Sequence, residues 1–155
     1  MIQKKCNVLI VAATFYKSII DELIKGAGQV LNDSDVSFNL IEVPGAFELP
    51  AVVSMALAVE KSENKKIYDG YITLGCVIRG ETTHYDYVCG ETARALQELS
   101  TKHQLALGFG LLTVENVDQA KERAFVDRKN KGGEAAEACI KMIQVRNDLG
   151  VQSSD

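Results

Sequence analysis

Tryptophan is absent from this 155-residue chain, and there are only two prolines, two histidines and four cysteines. The cysteines stand at 6, 76, 89 and 139. No CxxC pair can form and only two histidines exist, so a structural zinc site is not expected. Cysteines scattered in this way suit a reducing cytoplasm. Excess positive charge is lacking too: 17 basic residues face 21 acidic ones, a net charge of −4. With no obvious basic face, nucleic acid is not an expected partner. The apolar stretch in MIQKKCNVLIVAA is too short to span a bilayer and reads as a first strand rather than a signal peptide. There is no repeat, low-complexity tract or Gly/Pro/Ser linker, so the chain, residues 1–155, is expected to be one domain, frayed over 151–155. Its 46% hydrophobic and 25% charged residues are those of a soluble globular protein with a core large enough to need no staples.

Two periodicities alternate along the chain. Apolar, β-branched runs at Cys6–Ala13, Val36–Val43, Tyr68–Ile78 and Leu105–Val114 read as strands, the first of them buried on both faces. Between them, apolar residues recur at helical spacing over Ser18–Leu31, from about Glu48 to Glu63, and over Asp86–His103. Two more helices, VDQAKERA and GGEAAEACIKMIQVRNDL, follow the last strand. Alternating strands and helices imply right-handed crossovers and a parallel sheet. The expectation is a three-layer α/β sandwich of the flavodoxin-like kind, with a four-stranded parallel sheet and helices on both faces. So small a sheet can need other chains to cover an edge strand or a helix face. The stretch EAAEACIKMIQV suits either a core helix or a subunit contact.

In an open parallel sheet, ligands bind beyond the carboxyl ends of the strands. The segments that follow the strands are Thr14-Phe15-Tyr16, Pro44 to Glu48, Gly75 to His84, and Glu115-Asn116. The topology therefore gathers a ring, a carboxylate, a hydroxyl cluster and an imidazole at one rim. Phe15 can stack on a flat heterocycle or pack as a lid over the sheet end. Glu48 is a binding carboxylate or simply a favourable acid in a helix's first turn. Thr82 or Thr83 can cap the next helix, whose N-terminus suits an anion. His84 beside it can move a proton near neutral pH, or be a solvent-facing residue of a capped helix. His103 fits a C-terminal cation. Arg123, Arg128, Lys129 and Lys131 form a basic cluster that either meets an anionic ligand or is solvated. Gly75 to Thr82 has the glycine spacing of a phosphate-binding P-loop, but Glu81 stands where the lysine belongs and would repel the phosphates.

These motifs converge. VPGAFELP, TLGCVIRGETTHYDYV, FGLLTVENVDQA followed by ER, and NKGGEAA, in that order and spacing, resemble the lumazine synthase family, over Asn7 to about Met142. The resemblance implies the penultimate step of riboflavin biosynthesis. In that step 5-amino-6-(D-ribitylamino)uracil and 3,4-dihydroxy-2-butanone 4-phosphate give 6,7-dimethyl-8-ribityllumazine, phosphate and water, with no metal or organic cofactor. It implies that Phe15 stacks on the pyrimidine. Ala46, Phe47 and Glu48 then hold the ribityl chain and ring, and Cys76, Val77 and Ile78 bind the pyrimidine edge. Glu81 and Thr82 fall at the phosphate-ketone site, His84 is the proton-transfer residue, Arg123 binds phosphate and Lys131 lies near it. Phe109 would reach the pyrimidine from a neighbouring subunit. The same resemblance implies a homo-oligomer built on pentamers with sites between subunits. Phe125 to Asn130, the link before the last helix, lacks the glycines of the shell-forming pattern, which implies a free pentamer. A binding module that holds a flavin or lumazine without making it is the alternative, and a shell-forming structural protein a third.

Overall fold

The computed structural model describes residues 5–151. The tail expected to fray therefore lies outside the described residues beyond Val151. The order is β1 (Asn7–Ala13), α1 (Lys17–Asp33), β2 (Ser37–Val43), a short 3-10 turn (Ala46–Glu48), α2 (Leu49–Glu63), β3 (Gly70–Ile78), α3 (His84–His103), β4 (Leu107–Val114), α4 (Val117–Ala124) and α5 (Lys131–Leu149). The strands form one sheet in the order β2-β1-β3-β4. Every pairing is parallel, with Asn7 opposite Ser37, Val8 opposite Gly70 and Tyr71 opposite Leu107. The expected four-stranded three-layer sandwich is what forms.

Burial explains the order. β1 and β3 carry almost unbroken apolar runs and sit in the middle, buried on both faces. On one face, Val8, Ile10, Ile72 and Leu74 pack with Ile20, Leu23 and Leu31 of α1, Ala120 of α4 and Ala136 of α5. On the other, Leu9, Val11 and Tyr71 meet Leu49 and Val53 of α2 and Leu96 of α3. The alanine-rich stretch of α5 takes the core alternative at Ala135, Ala136 and Cys139. Apolar surface stays open in two places besides the edge of β4. β2 is an edge with Leu40 and Ile41 exposed, and α2, apolar nearly all round, leaves Met55 63% exposed and Val59 uncovered.

Some boundaries differ from expectation, each for a local reason. The strand expected from Tyr68 starts at Gly70, because Asp69 is a joint: its carboxylate accepts the Asn7 N–H at 2.8 Å. The strand expected from Leu105 starts at Leu107, because the Leu105 N–H turns back to the Ser100 carbonyl to close α3. The helix expected from Asp86 starts at His84, so the histidine belongs to a helix rather than to a loop. The helix expected from Glu48 is split, with the 3-10 turn first and Pro50 in the first turn of α2.

Thr73 of β3 is fully buried, and its hydroxyl has no hydrogen-bond partner among the described residues. An unpartnered buried hydroxyl costs stability. Thr73→Val, equal in shape, is expected to stabilise the fold by about 1 kcal/mol. Denaturant titration checks this, and a lower midpoint for the variant would contradict it.

Candidate active site

At the carboxyl end of β1, Thr14 donates from both its N–H (2.9 Å) and its hydroxyl (3.3 Å) to the Val43 carbonyl. That ties the turn to the end of β2. Tyr16 packs into the core while Phe15 projects, 75% exposed, with the two rings edge to face at 4.9 Å. The lid alternative for Phe15 does not occur within the chain, since apart from its edge contact with Tyr16 the ring stands largely in the open. Beyond β2, the Glu48 carboxylate accepts the Gly45 N–H at 3.0 Å and closes the 3-10 turn. Ala46 is thereby buried, its carbonyl accepting the Thr92 hydroxyl at 3.4 Å, and Phe47 is turned outward.

β3 ends in Cys76, Val77 and Ile78, paired with Leu112, Thr113 and Val114. Burial, and then nearby Cys89, push the Cys76 thiol up to about 12. It stays protonated near neutrality and is no nucleophile. After the strand, Glu81 and Thr82 are exposed. Of the two threonines, Thr82 makes the capping-type bond: its hydroxyl accepts the His84 N–H at 3.3 Å, while Thr83, the N-cap, makes none with its side chain. His84 is the exposed first residue of α3. His103, at the other end, lies in the last turn, where a cation is favourable.

The second group of residues lies along the open edge of β4. A cleft of about 320 Å³ there is lined by Phe109 to Thr113 of the strand, Arg123 of α4, and Lys131, Glu134, Ala135 and Ala138 of α5. Arg123 donates to the Gln119 carbonyl at 3.1 Å, and Lys131 pairs with Glu134 at 2.8 Å. Phe109 is 47% exposed at its mouth. The basic cluster is thus divided. Arg128 is engaged elsewhere, near Glu122 at 3.7 Å and over the Phe125 ring at 5.0 Å, while Arg123 and Lys131 face the cleft. Two cations against one carboxylate, beside the unpaired backbone of an edge strand, suit an anion. Glu134 and Thr113 were not among the expected site residues. The signal for Glu134 was its spacing from Lys131, three positions along a helix's first turn.

None of Phe15, Ala46 to Glu48, Cys76 to Ile78, Glu81, Thr82 or His84 lines this cleft. Within one chain, the expected residues therefore fall into a rim group, on the β1, β2 and β3 ends, and an edge group, on β4, α4 and α5.

Comparison with known proteins extends over nearly the whole chain. Residues 5–147 match the model of the 6,7-dimethyl-8-ribityllumazine synthase family. A 6,7-dimethyl-8-ribityllumazine synthase of Bartonella tribocorum is 50% identical over 148 residues, covering 96% of this chain and 95% of that protein. Those of Afipia carboxidovorans and Paramagnetospirillum magneticum are each 47% identical. They cover 92% and 95% of this chain, and 87% and 99% of their own lengths. With its parallel sheet, its loop segments and this likeness along the chain, the protein belongs to the 6,7-dimethyl-8-ribityllumazine synthase family.

Proposed function

We propose that the rim group of one chain and the edge group of a neighbouring copy are the two halves of one active site. Membership of the family makes the chain an enzyme of riboflavin biosynthesis, a transferase that forms 6,7-dimethyl-8-ribityllumazine. In the proposed site, Phe15 stacks on the pyrimidine of the aminouracil. Ala46, Phe47 and Glu48 hold its ribityl chain, and the backbone of Cys76, Val77 and Ile78 meets the pyrimidine edge. The butanone phosphate lies against Glu81, Thr82 and the start of α3. Arg123, with Lys131 near it, reaches that phosphate from the neighbour, and Phe109 reaches the ring.

The 5-amino group attacks the ketone and an imine forms with loss of water; phosphate leaves by elimination to an enol that becomes a second carbonyl; the ribitylamino nitrogen attacks that carbonyl, and the ring closes with loss of a second water. His84 moves protons during imine formation and elimination. Arg123 and the helix start stabilise charge on the departing phosphate. Both substrates are intrinsically reactive, so much of the rate comes from holding them together. No metal or organic cofactor takes part.

The observation that supports this reading most is the meeting of Arg123 and Lys131 in a cleft that also holds Phe109. The uncovered apolar side of α2 and the open edge of β2 favour assembly. We read the assembly as a free pentamer in the cytoplasm.

Mixing the protein with both substrates and following lumazine absorbance tests the reading. Formation well above the spontaneous rate is the expected result; tight binding without acceleration would favour a carrier. His84→Ala is expected to slow turnover by about 10²-fold, the low end for general acid–base catalysis, without abolishing it. An unchanged rate would remove His84 from proton transfer.

A further inference from the structure

The imidazole of His84 has no hydrogen-bond or ion-pair partner among the described residues; only its backbone N–H is held, by Thr82. Its place is therefore set by the first turn of α3, whose N-cap Thr83 offers no side-chain bond. Arg79 grips that turn. It is the first residue beyond β3, and its own N–H donates to the Val114 carbonyl at 2.9 Å, so its backbone is fixed to the sheet. Its Nε lies 2.9 and 3.2 Å from the two oxygens of Glu115. Its Nη1 donates to Asp86 at 3.3 Å, and its guanidinium lies 4.2 Å over the Tyr85 ring. Tyr85 and Asp86 directly follow His84. Glu115 is anchored in turn, since its N–H donates to the Gln119 side chain at 2.8 Å.

Building on the proposed role of His84, we infer that Arg79 is a positioning residue. It clamps the first turn of α3 to the β4–α4 connection and so holds the imidazole where protons move. The arrangement suits arginine specifically: a planar fork serves two carboxylates at different angles while its face stacks on a ring. The ion pairs are substantially exposed, with the arginine side chain at 39%, and pairs of that kind add little stability. Their consequence lies in geometry, where a small displacement of a reacting group is costly.

A double-mutant cycle on the full-length protein tests this, with lumazine formation as the readout. Arg79→Met is expected to lower kcat by about 5- to 10-fold, with both KM values within about 2-fold and the melting temperature nearly unchanged. Arg79→Lys, which keeps the charge but loses the fork, should recover less than half of the loss. In the His84→Ala background, adding Arg79→Met should change kcat by less than about 2-fold, because the group it positions is gone. Asp86→Asn, which breaks the arm to α3, should behave like Arg79→Met and serves in its place if that variant folds poorly. Equal losses in the two backgrounds, or no loss in the parent background, would overturn the positioning role. The His84→Ala variant alone reads the proton-transfer role, so a failure of that reading is seen separately.

Discussion

Arg123→Ala is expected to raise the KM for the butanone phosphate by about 30- to 100-fold while leaving the KM for the aminouracil nearly unchanged. Arg123 faces the β4 cleft beside Lys131 and is steadied by the Gln119 carbonyl. A hydrogen bond to a charged partner contributes roughly 1.5–3 kcal/mol, and about 2–2.7 kcal/mol within that range converts to about 30- to 100-fold in affinity. Arg123→Lys should lose less, since a point charge remains but the fork does not. Steady-state kinetics with each substrate varied separately check the split. An unchanged KM for the phosphate substrate would take Arg123 out of the site.

The same residue tests whether the site is shared between chains. If the rim group and the edge group come from different copies, a chain with Arg123→Ala keeps an intact rim and a chain with His84→Ala keeps an intact edge. Co-expressed in equal amounts and randomly assembled, they should form an unaltered site at about a quarter of their interfaces, as expected for a head-to-tail ring. Activity at limiting butanone phosphate should then exceed the mean of the two parent variants several-fold. Activity equal to that mean would place both groups in one chain's site.

The second large effect concerns the packing of α1 on α5. A Cβ added at Gly132 would collide with the backbone of Leu23 in α1, so the two helices could not keep their approach. Gly132→Val should therefore cost about 3 kcal/mol or more, as overpacking against backbone does. At this chain length that lowers the melting temperature by roughly 6–12 °C, measured by calorimetry at fixed chain concentration. Gly28→Ala in α1 is the contrasting case. Its new methyl would meet only the Phe38 ring at 3.5 Å, an ordinary contact, and the better helix propensity of alanine offsets any adjustment. It should change the melting temperature by less than about 4 °C. A similar loss in both variants would mean that adding any side chain to these helices, and not the close approach of α1 and α5 at Gly132, sets the effect.

Loss of the Thr73 hydroxyl and loss of the α1–α5 contact act in opposite directions on one core. The first removes an unpaired polar atom; the second removes a packing solution.

Much of this was legible in the residue order. Apolar, β-branched runs marked the four strands, most clearly the central β1 and β3, because a strand covered by helices on both faces has no polar side to show. The alternation with helical spacing implied parallel crossovers, and the rim followed from topology. Residues near the ends of elements were harder to place. His84 reads as part of a polar connector because His, Tyr and Asp are indifferent helix formers, yet the clamp of Arg79 on Tyr85 and Asp86 holds it in the first turn of α3. Glu48 was legible as a carboxylate but not as the latch that accepts the Gly45 N–H and turns Phe47 outward.

The amino-acid sequence by itself determined the class of fold, the order of its elements and the chemical kinds of group that reach the sheet's carboxyl end, because periodicity and residue type are local properties of the chain. Only the tertiary structure decided the rest. It divided the expected site residues between the rim and the β4 edge, sent Arg123 and Lys131 to the cleft while engaging Arg128 elsewhere, and gave Arg79 its carboxylates. Those outcomes depend on which side chains distant in the sequence meet once the layers pack, and no local pattern carries that information.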